Sequence, residues 1–266
     1  MQPRGITGMI ERPLIIGHRG ASALAPENTL AAFTRALADG ADGFEFDVRL
    51  ASNHVPVVIH DETLTRTAGR NTKISEASGE DLSRTGVGAW FNRKFPHLAR
   101  PEYESEKLPT LRDVLALFSD NRALLYLEMK GEGPPWEDLA GSIVELIRRF
   151  SFTDRTVVEC FHLPALAEIK RLDAGIRTAA LFEPSIKRPL SSLRIDARIE
   201  EARAVGSDEV ALHYRLANAR AVAKARQLGM SCVVWTVDDP RWVRRATTLG
   251  LKALITNNPG AMRQTR

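Results

Sequence analysis

Short apolar runs rich in β-branched residues alternate along the chain with longer stretches in which apolar positions recur every three or four residues. That is the pattern of a parallel sheet covered on both faces by crossover helices. It predicts strands at Leu14–His18, Gly43–Arg49, Ala123–Met129, Arg155–Phe161, Arg177–Phe182, Glu209–His213, Ser231–Thr236 and Ala253–Thr256. A ninth run, Val55–His60, follows the second strand after too few residues for a helical crossover and reads as a hairpin return. Eight strands then remain to close a (β/α)8 TIM barrel, an α/β fold. A doubly wound open sheet is the alternative, but the turn after the first strand, Gly17-His18-Arg19-Gly20-Ala21-Ser22, lacks the glycine spacing of a dinucleotide site.

Helices are expected at Pro26–Asp39, Thr110–Ser119, Trp136–Phe150, Leu163–Asp173, Asp196–Val205, Ala217–Leu228 and Pro240–Leu249. Thr110 with Asp113 forms a capping-box pattern, Pro164 and Pro240 suit first-turn positions, and Gly40, Gly175, Gly206, Gly229 and Gly250 follow helical runs where a left-handed cap is favoured. The stretch Asp61–Pro109 breaks the alternation. Its aromatics Trp90, Phe91, Phe95 and Tyr103 lie among Gly, Ser, Thr and charged residues, so residues 62–109 read as a small insertion at the barrel's C-terminal mouth within a single catalytic domain, 1–266.

With 266 residues, 44% hydrophobic and 26% charged, the chain can bury a full globular core. The excess of 37 Lys+Arg over 33 Asp+Glu is spread without a polybasic block, so charge calls for neither a nucleic-acid partner nor a membrane surface. Cys160 and Cys232 lie inside apolar strands and read as small core residues. No apolar stretch is long enough for a membrane span or a signal-peptide core, which predicts no stable membrane insertion and a cytoplasmic location.

Charge inside the strands carries the chemistry. In Gly43-Phe44-Glu45-Phe46-Asp47-Val48 the two carboxylates share one face, ~7 Å apart along the strand, while Phe44, Phe46 and Val48 face the helices. Inside a barrel such a pair calls for a neutralising cation, and a hard divalent metal suits carboxylate oxygens. A structural salt bridge with Arg49 is the plainer reading. Leu127-Glu128-Met129-Lys130 repeats the device: Glu128 completes a three-carboxylate oxygen site, and Lys130 is placed to meet an anion. His18 and Arg19 end the first strand between Gly17 and Gly20, and the hairpin return brings His60 to the same mouth. Two imidazoles, a metal and two cations fit one proton acceptor and one proton donor for displacement at phosphorus. Trp235 shares a face with Val233 and would supply an apolar wall for a small polyol. His162 and His213 also follow strands, but nothing else in the sequence supports them. Glu45 and Glu128 as a glycosidase pair would leave both imidazoles and both cations unused.

Taken in order, Gly17-His18-Arg19-Gly20, Pro26-Glu27-Asn28-Thr29, Gly43 to Val48, Pro56-Val57-Val58-Ile59-His60-Asp61, Leu127-Glu128-Met129-Lys130 and Trp235-Thr236-Val237 resemble the glycerophosphodiester phosphodiesterase family from about Leu14 to Pro259. The resemblance implies a TIM barrel with a small insertion. It implies hydrolysis of glycerophosphodiesters, such as glycerophosphocholine or glycerophosphoethanolamine, to sn-glycerol 3-phosphate and an alcohol. It further implies a divalent ion, Mg²⁺ or Ca²⁺, on Glu45, Asp47 and Glu128, acid and base roles for His18 and His60, and phosphate binding by Arg19 and Lys130. Attack by water and attack by the substrate's own hydroxyl through a cyclic phosphate are both open, and a barrel that binds phosphodiesters or metal without turnover is the alternative function. The chain departs from the family pattern at Asn257, where Asp is common, and at Cys160, where Ser is common. The insertion aromatics Trp90, Phe91 and Phe95 either line the alcohol side of the cleft, which would admit lysophospholipids, or form a small core of their own.

Overall fold

A computed structural model describes residues 12–130, 136–184 and 194–264. Among the described residues there are nine strands: β1 (Leu14–His18), β2 (Gly43–Leu50), β3 (Pro56–Val58), β4 (Leu124–Met129), β5 (Thr156–Cys160), β6 (Arg177–Phe182), β7 (Glu209–His213), β8 (Ser231–Trp235) and β9 (Ala253–Thr256). All but β3 are parallel, in the order β1-β9-β8-β7-β6-β5-β4-β2, and pairing of β1 with β2 closes the ring. This is the TIM barrel expected from the alternation. β3 lies antiparallel against the end of β2, with Val58 opposite Val48, so the hairpin also forms as expected.

The strands divide the core in two. Phe44, Phe46 and Val48 point outward against Phe33 of the Leu30–Ala38 helix, the Phe33 and Phe44 rings stacking at 4.4 Å between centroids. Ile16, Tyr126, Val157, Leu181, Val233 and Ile255 fill the barrel interior. Cys160 and Cys232 belong to the outer core. The Cys160 thiol donates to the Met129 carbonyl, 3.1 Å, so the thiol ties β5 to the neighbouring strand end as a hydroxyl would.

Helix boundaries differ from expectation where side chains cap them. The first helix begins at Leu30, not Pro26, because Asn28 takes a left-handed φ of +56° and Thr29 caps Ala32 through its side chain. The helix expected from Ala217 begins at Ala219, where Asn218 caps Ala221, and Pro240 is the cap of its helix and not a first-turn residue. The Thr110–Asp113 capping box forms. Gly40, Gly206, Gly229 and Gly250 take positive φ, but Gly175 does not: the Asp173 carboxylate accepts its N–H at 2.9 Å and closes that turn instead. None of the helices among the described residues is long and apolar enough to cross a membrane.

Residues 62–109 fold into short helical turns around two small clusters. One joins Ile59, Leu64, Ile74, Leu82, Val87 and Leu108; the other sets Phe91 and Tyr103 against Ala25 and Ala32, with Trp90 and Phe95 packed on it. Trp90, Phe91 and Phe95 therefore build a local core, and none lines the cavity at the barrel mouth.

Candidate active site

Register places the chemistry. In a parallel sheet, aligned residues project to the same side. His18 aligns with Glu45, Asp47 with Glu128, and Glu128 with Glu159, so an acidic rim forms at the C-terminal ends of β1, β2, β4 and β5. A cavity of about 210 Å³ opens there, and His18, Arg19, Glu45, His60, Glu128, Lys130 and Trp235 all line it. Asp47, fully buried, lies behind it. A larger groove of about 610 Å³ at the opposite end, beside Arg226 and Lys252, holds none of these groups.

Backbone geometry at the end of β1 is unusual. Arg19 takes φ +53°, which turns its N–H toward Glu45, whose Oε2 accepts it at 2.9 Å. Gly20 follows at φ +82°, and a Cβ there would lie 2.5 Å from the Ala32 backbone, so no larger residue fits.

One oxygen each of Glu45, Asp47 and Glu128 lies within 4.8 Å of the others. Oε1 of Glu45 is buried with no hydrogen-bond partner among the described residues. A closely set, all-oxygen, acidic cluster with an orphaned buried oxygen fits a hard divalent cation. Two cations flank it: Arg19 Nε is 3.1 Å and Lys130 Nζ 3.0 Å from Asp47, and Lys130 also pairs with Glu128 at 2.5 Å. Arg49 turns away to bond the His60 carbonyl, 2.8 Å, so the salt-bridge reading of the carboxylates does not hold.

Crowding of like charges spreads the proton affinities. Burial, with the charges of Asp47 and Glu128, holds the Glu45 carboxyl well above its usual range. Burial and Asp47 push Glu128 up to about 7 against the pull of Lys130. Burial also acts to raise Asp47, but Arg19 and Lys130 outweigh it and hold the group ionised. Burial, aided by Arg19, lowers His18 to about 4 although Asn257 opposes it, and burial lowers His60 despite Asp47.

Each imidazole has an orienting partner on Nδ1. For His18 it is Oδ1 of Asn257, 2.7 Å; for His60 it is Asp61, 2.8 Å. Asp61 is held by Arg66 at 2.6 Å, Arg66 grips Glu27 at 2.8 Å, and Glu27 accepts from Arg19 at 2.9 Å, so a charged chain joins the two histidine loops. Asn28 Nδ2 donates to Asp47 at 2.8 Å, while the Asp47 N–H donates back to the Asn28 side chain at 3.2 Å. Trp235 turns inward as expected and meets Phe161 edge-on at 5.8 Å. His162 packs on Trp136 and His213 on Tyr214, and neither lines the cavity.

Sequence reasoning assigned no role to Glu27, Asn28, Asp61, Arg66, Glu159, Asp238 or Asn257. Glu27, Asn28 and Asp61 lie within the motif segments, but their roles depend on contacts between loops. Glu159 had a readable signal: it is the one charged residue within the buried run Thr156–Cys160, on the inward face with Val157.

A cluster of three carboxylates, two imidazoles and two cations thus meets at the C-terminal mouth of a TIM barrel. The glycerophosphoryl diester phosphodiesterase family profile matches residues 18–261, and the chain belongs to that family of enzymes. A glycerophosphodiester phosphodiesterase of Caldanaerobacter subterraneus subsp. tengcongensis is 29% identical over 251 residues, 93% of this chain and 95% of its own. A structure from Silicibacter pomeroyi DSS-3 superposes with TM-score 0.82 at 25% identity, covering 97% of this chain and 94% of the other. A phosphodiesterase of Oleispira antarctica, solved with its product sn-glycerol-3-phosphate, shares the fold with TM-score 0.81 at 24% identity over 96% of each chain.

Proposed function

We propose that this single-domain barrel, with residues 62–109 as its insertion, hydrolyses glycerophosphodiesters such as glycerophosphocholine and glycerophosphoethanolamine to sn-glycerol 3-phosphate and an alcohol. The observation that carries the reading is convergence: His18, Arg19, Glu45, His60, Glu128 and Lys130, from four separate parts of the chain, line one cavity. Glu45, Asp47 and Glu128 would hold Mg²⁺ or Ca²⁺ through oxygens within 4.8 Å of one another. When bound, such an ion supplies charge stabilisation at a phosphoryl oxygen.

The protein's own groups do the rest. Arg19 and Lys130 orient the phosphodiester and offset the charge that grows on its oxygens. Asn257 accepts the Nδ1 proton of His18, which leaves Nε2 as a lone-pair acceptor for the proton of the attacking hydroxyl, either of water directly or of the glycerol C2, in which case water then opens the cyclic phosphate to the same product. His60, with Asp61 on Nδ1, protonates the departing alkoxide. Trp235 and Phe161 wall the glycerol side.

The test is release of sn-glycerol 3-phosphate from the two diesters with Mg²⁺, Ca²⁺ or chelator. Glu45→Ala, His18→Ala and His60→Ala should each keep the fold and lower kcat by about 10²- to 10⁴-fold. Near-normal turnover in these variants would reject the assignment.

A further inference from the structure

Glu159 projects into the barrel from β5, aligned with Glu128 on one side and Ala179 on the other. It is 1% exposed, yet it lines the cavity, and its Oε2 has no hydrogen-bond partner among the described residues. It also lies outside the close-set trio of Glu45, Asp47 and Glu128. A buried carboxyl oxygen left without a donor is costly, and one that also lines a cavity is placed to gain its donor from whatever enters that cavity.

The neighbours define that partner. Beyond Glu159 the cavity wall is made mainly by the apolar Phe161, Leu181, Trp235 and Ile255, with Glu183 at the end of β6 as its one further charged group among the described residues, while the cations Arg19 and Lys130 stand at the Glu128 side. Adjacent strands are ~4.8 Å apart, about the reach of a three-carbon skeleton. A ligand whose phosphate meets Arg19 and Lys130 therefore lays its carbon chain over the apolar wall and brings a distal hydroxyl to β5. We propose that Glu159 is a specificity-determining residue that accepts a hydrogen bond from the terminal hydroxyl of a phosphorylated three-carbon polyol. The inference rests on the phosphodiesterase reading for the placement of the phosphate, and it selects the glycerol half of the substrate, leaving the alcohol half toward solvent. A hydroxyl-binding carboxyl rejects an analogue without that hydroxyl, because the analogue leaves the carboxyl buried and unpaired.

The experiment compares sn-glycerol 3-phosphate with propane-1,2-diol 1-phosphate, which keeps the phosphate and the central hydroxyl and lacks only the terminal one. Calorimetric titration of the full chain with saturating Mg²⁺, for wild type, Glu159→Gln and Glu159→Ala, reads binding without requiring turnover. Wild type should favour the glycerol compound by about tenfold or more. Glu159→Ala should bring the two ligands within about twofold by weakening the glycerol compound alone, and Glu159→Gln, which keeps an acceptor oxygen, should retain most of the preference. The proposal is overturned if the wild type shows no preference, if Glu159→Ala keeps it, or if Glu159→Ala weakens both ligands alike. Loss of diester hydrolysis with the preference intact would reject the catalytic reading and leave this subsite standing.

Discussion

Nδ1 of His18 lies 2.7 Å from Oδ1 of Asn257, and the Asn257 amide can face only one way. Its Nδ2 donates to Asp238 at 2.7 Å, and the Asn257 backbone N–H donates to the other oxygen of Asp238 at 2.8 Å. The carboxylate cannot donate, so the amide oxygen must face His18, where it also accepts from the Ser22 hydroxyl at 2.8 Å. The residue that departs from the family pattern thus sets the imidazole tautomer. Asp238→Asn frees the Asn257 amide to flip and should lower kcat about tenfold with KM little changed, because orientation and tautomer are lost while phosphate contacts stay. Steady-state kinetics together with the imidazole ¹⁵N shifts of His18 check this; a variant with normal kcat and an unaltered tautomer signature would contradict it.

Much of this was legible before the structure. Strand alternation placed Glu45 and Asp47 on one face, and the short span from Leu50 to Val55 forced the hairpin that delivers His60. Those inferences rest on local periodicity, which the chain writes out directly. The start of the Leu30–Ala38 helix was not legible, because Asn28 leaves helical geometry to bond Asp47, a partner nineteen residues away. The chain Arg19–Glu27–Arg66–Asp61 was hidden for the same reason: it joins loops whose meeting depends on the closed barrel and on the insertion's fold.

The His60–Asp61 pair yields a second expectation. Asp61 holds the imidazole at 2.8 Å and is itself held by two bonds from Arg66, 2.6 and 3.1 Å. Asp61→Asn keeps the shape but removes the charge that supports a protonated His60. The proton donor then titrates at lower pH, so the alkaline limb of kcat should move acidward and kcat at neutral pH should fall by about tenfold to 10²-fold. A pH–rate profile of the variant decides it, and an unmoved alkaline limb would remove His60 from the donor role.

Asn28 makes the stability of the site measurable. Its side chain exchanges two hydrogen bonds with Asp47, and its backbone holds φ +56°. Asn28→Ala loses both bonds inside the protein and adds left-handed strain, for a destabilisation of about 2–4 kcal/mol. Asn28→Gly loses the bonds without the strain and should cost about 1 kcal/mol less. Urea denaturation of the two variants separates the terms; equal losses would show that the backbone conformation contributes nothing.

Metal and proton compete for the same carboxylates, so the acid limb of activity should depend on metal concentration. Glu128 is pushed up to about 7, and burial with the neighbouring carboxylates raises Glu45 well above its usual range, so protons compete with a cation for both groups. Cation binding needs both groups ionised, and apparent affinity must therefore fall as pH drops below about 7. His18 does not impose a limb there, because it stays neutral down to about 4. At low Mg²⁺ the rate should decline below neutral pH. At high Mg²⁺ the decline should move several tenths of a pH unit or more toward acid, about one unit per tenfold rise in metal if a single proton is displaced. Calorimetry in buffers of different ionisation enthalpy should also register protons released on metal binding. Superimposable pH–rate curves at two Mg²⁺ concentrations, with no proton release, would mean that Glu45 and Glu128 do not hold the ion.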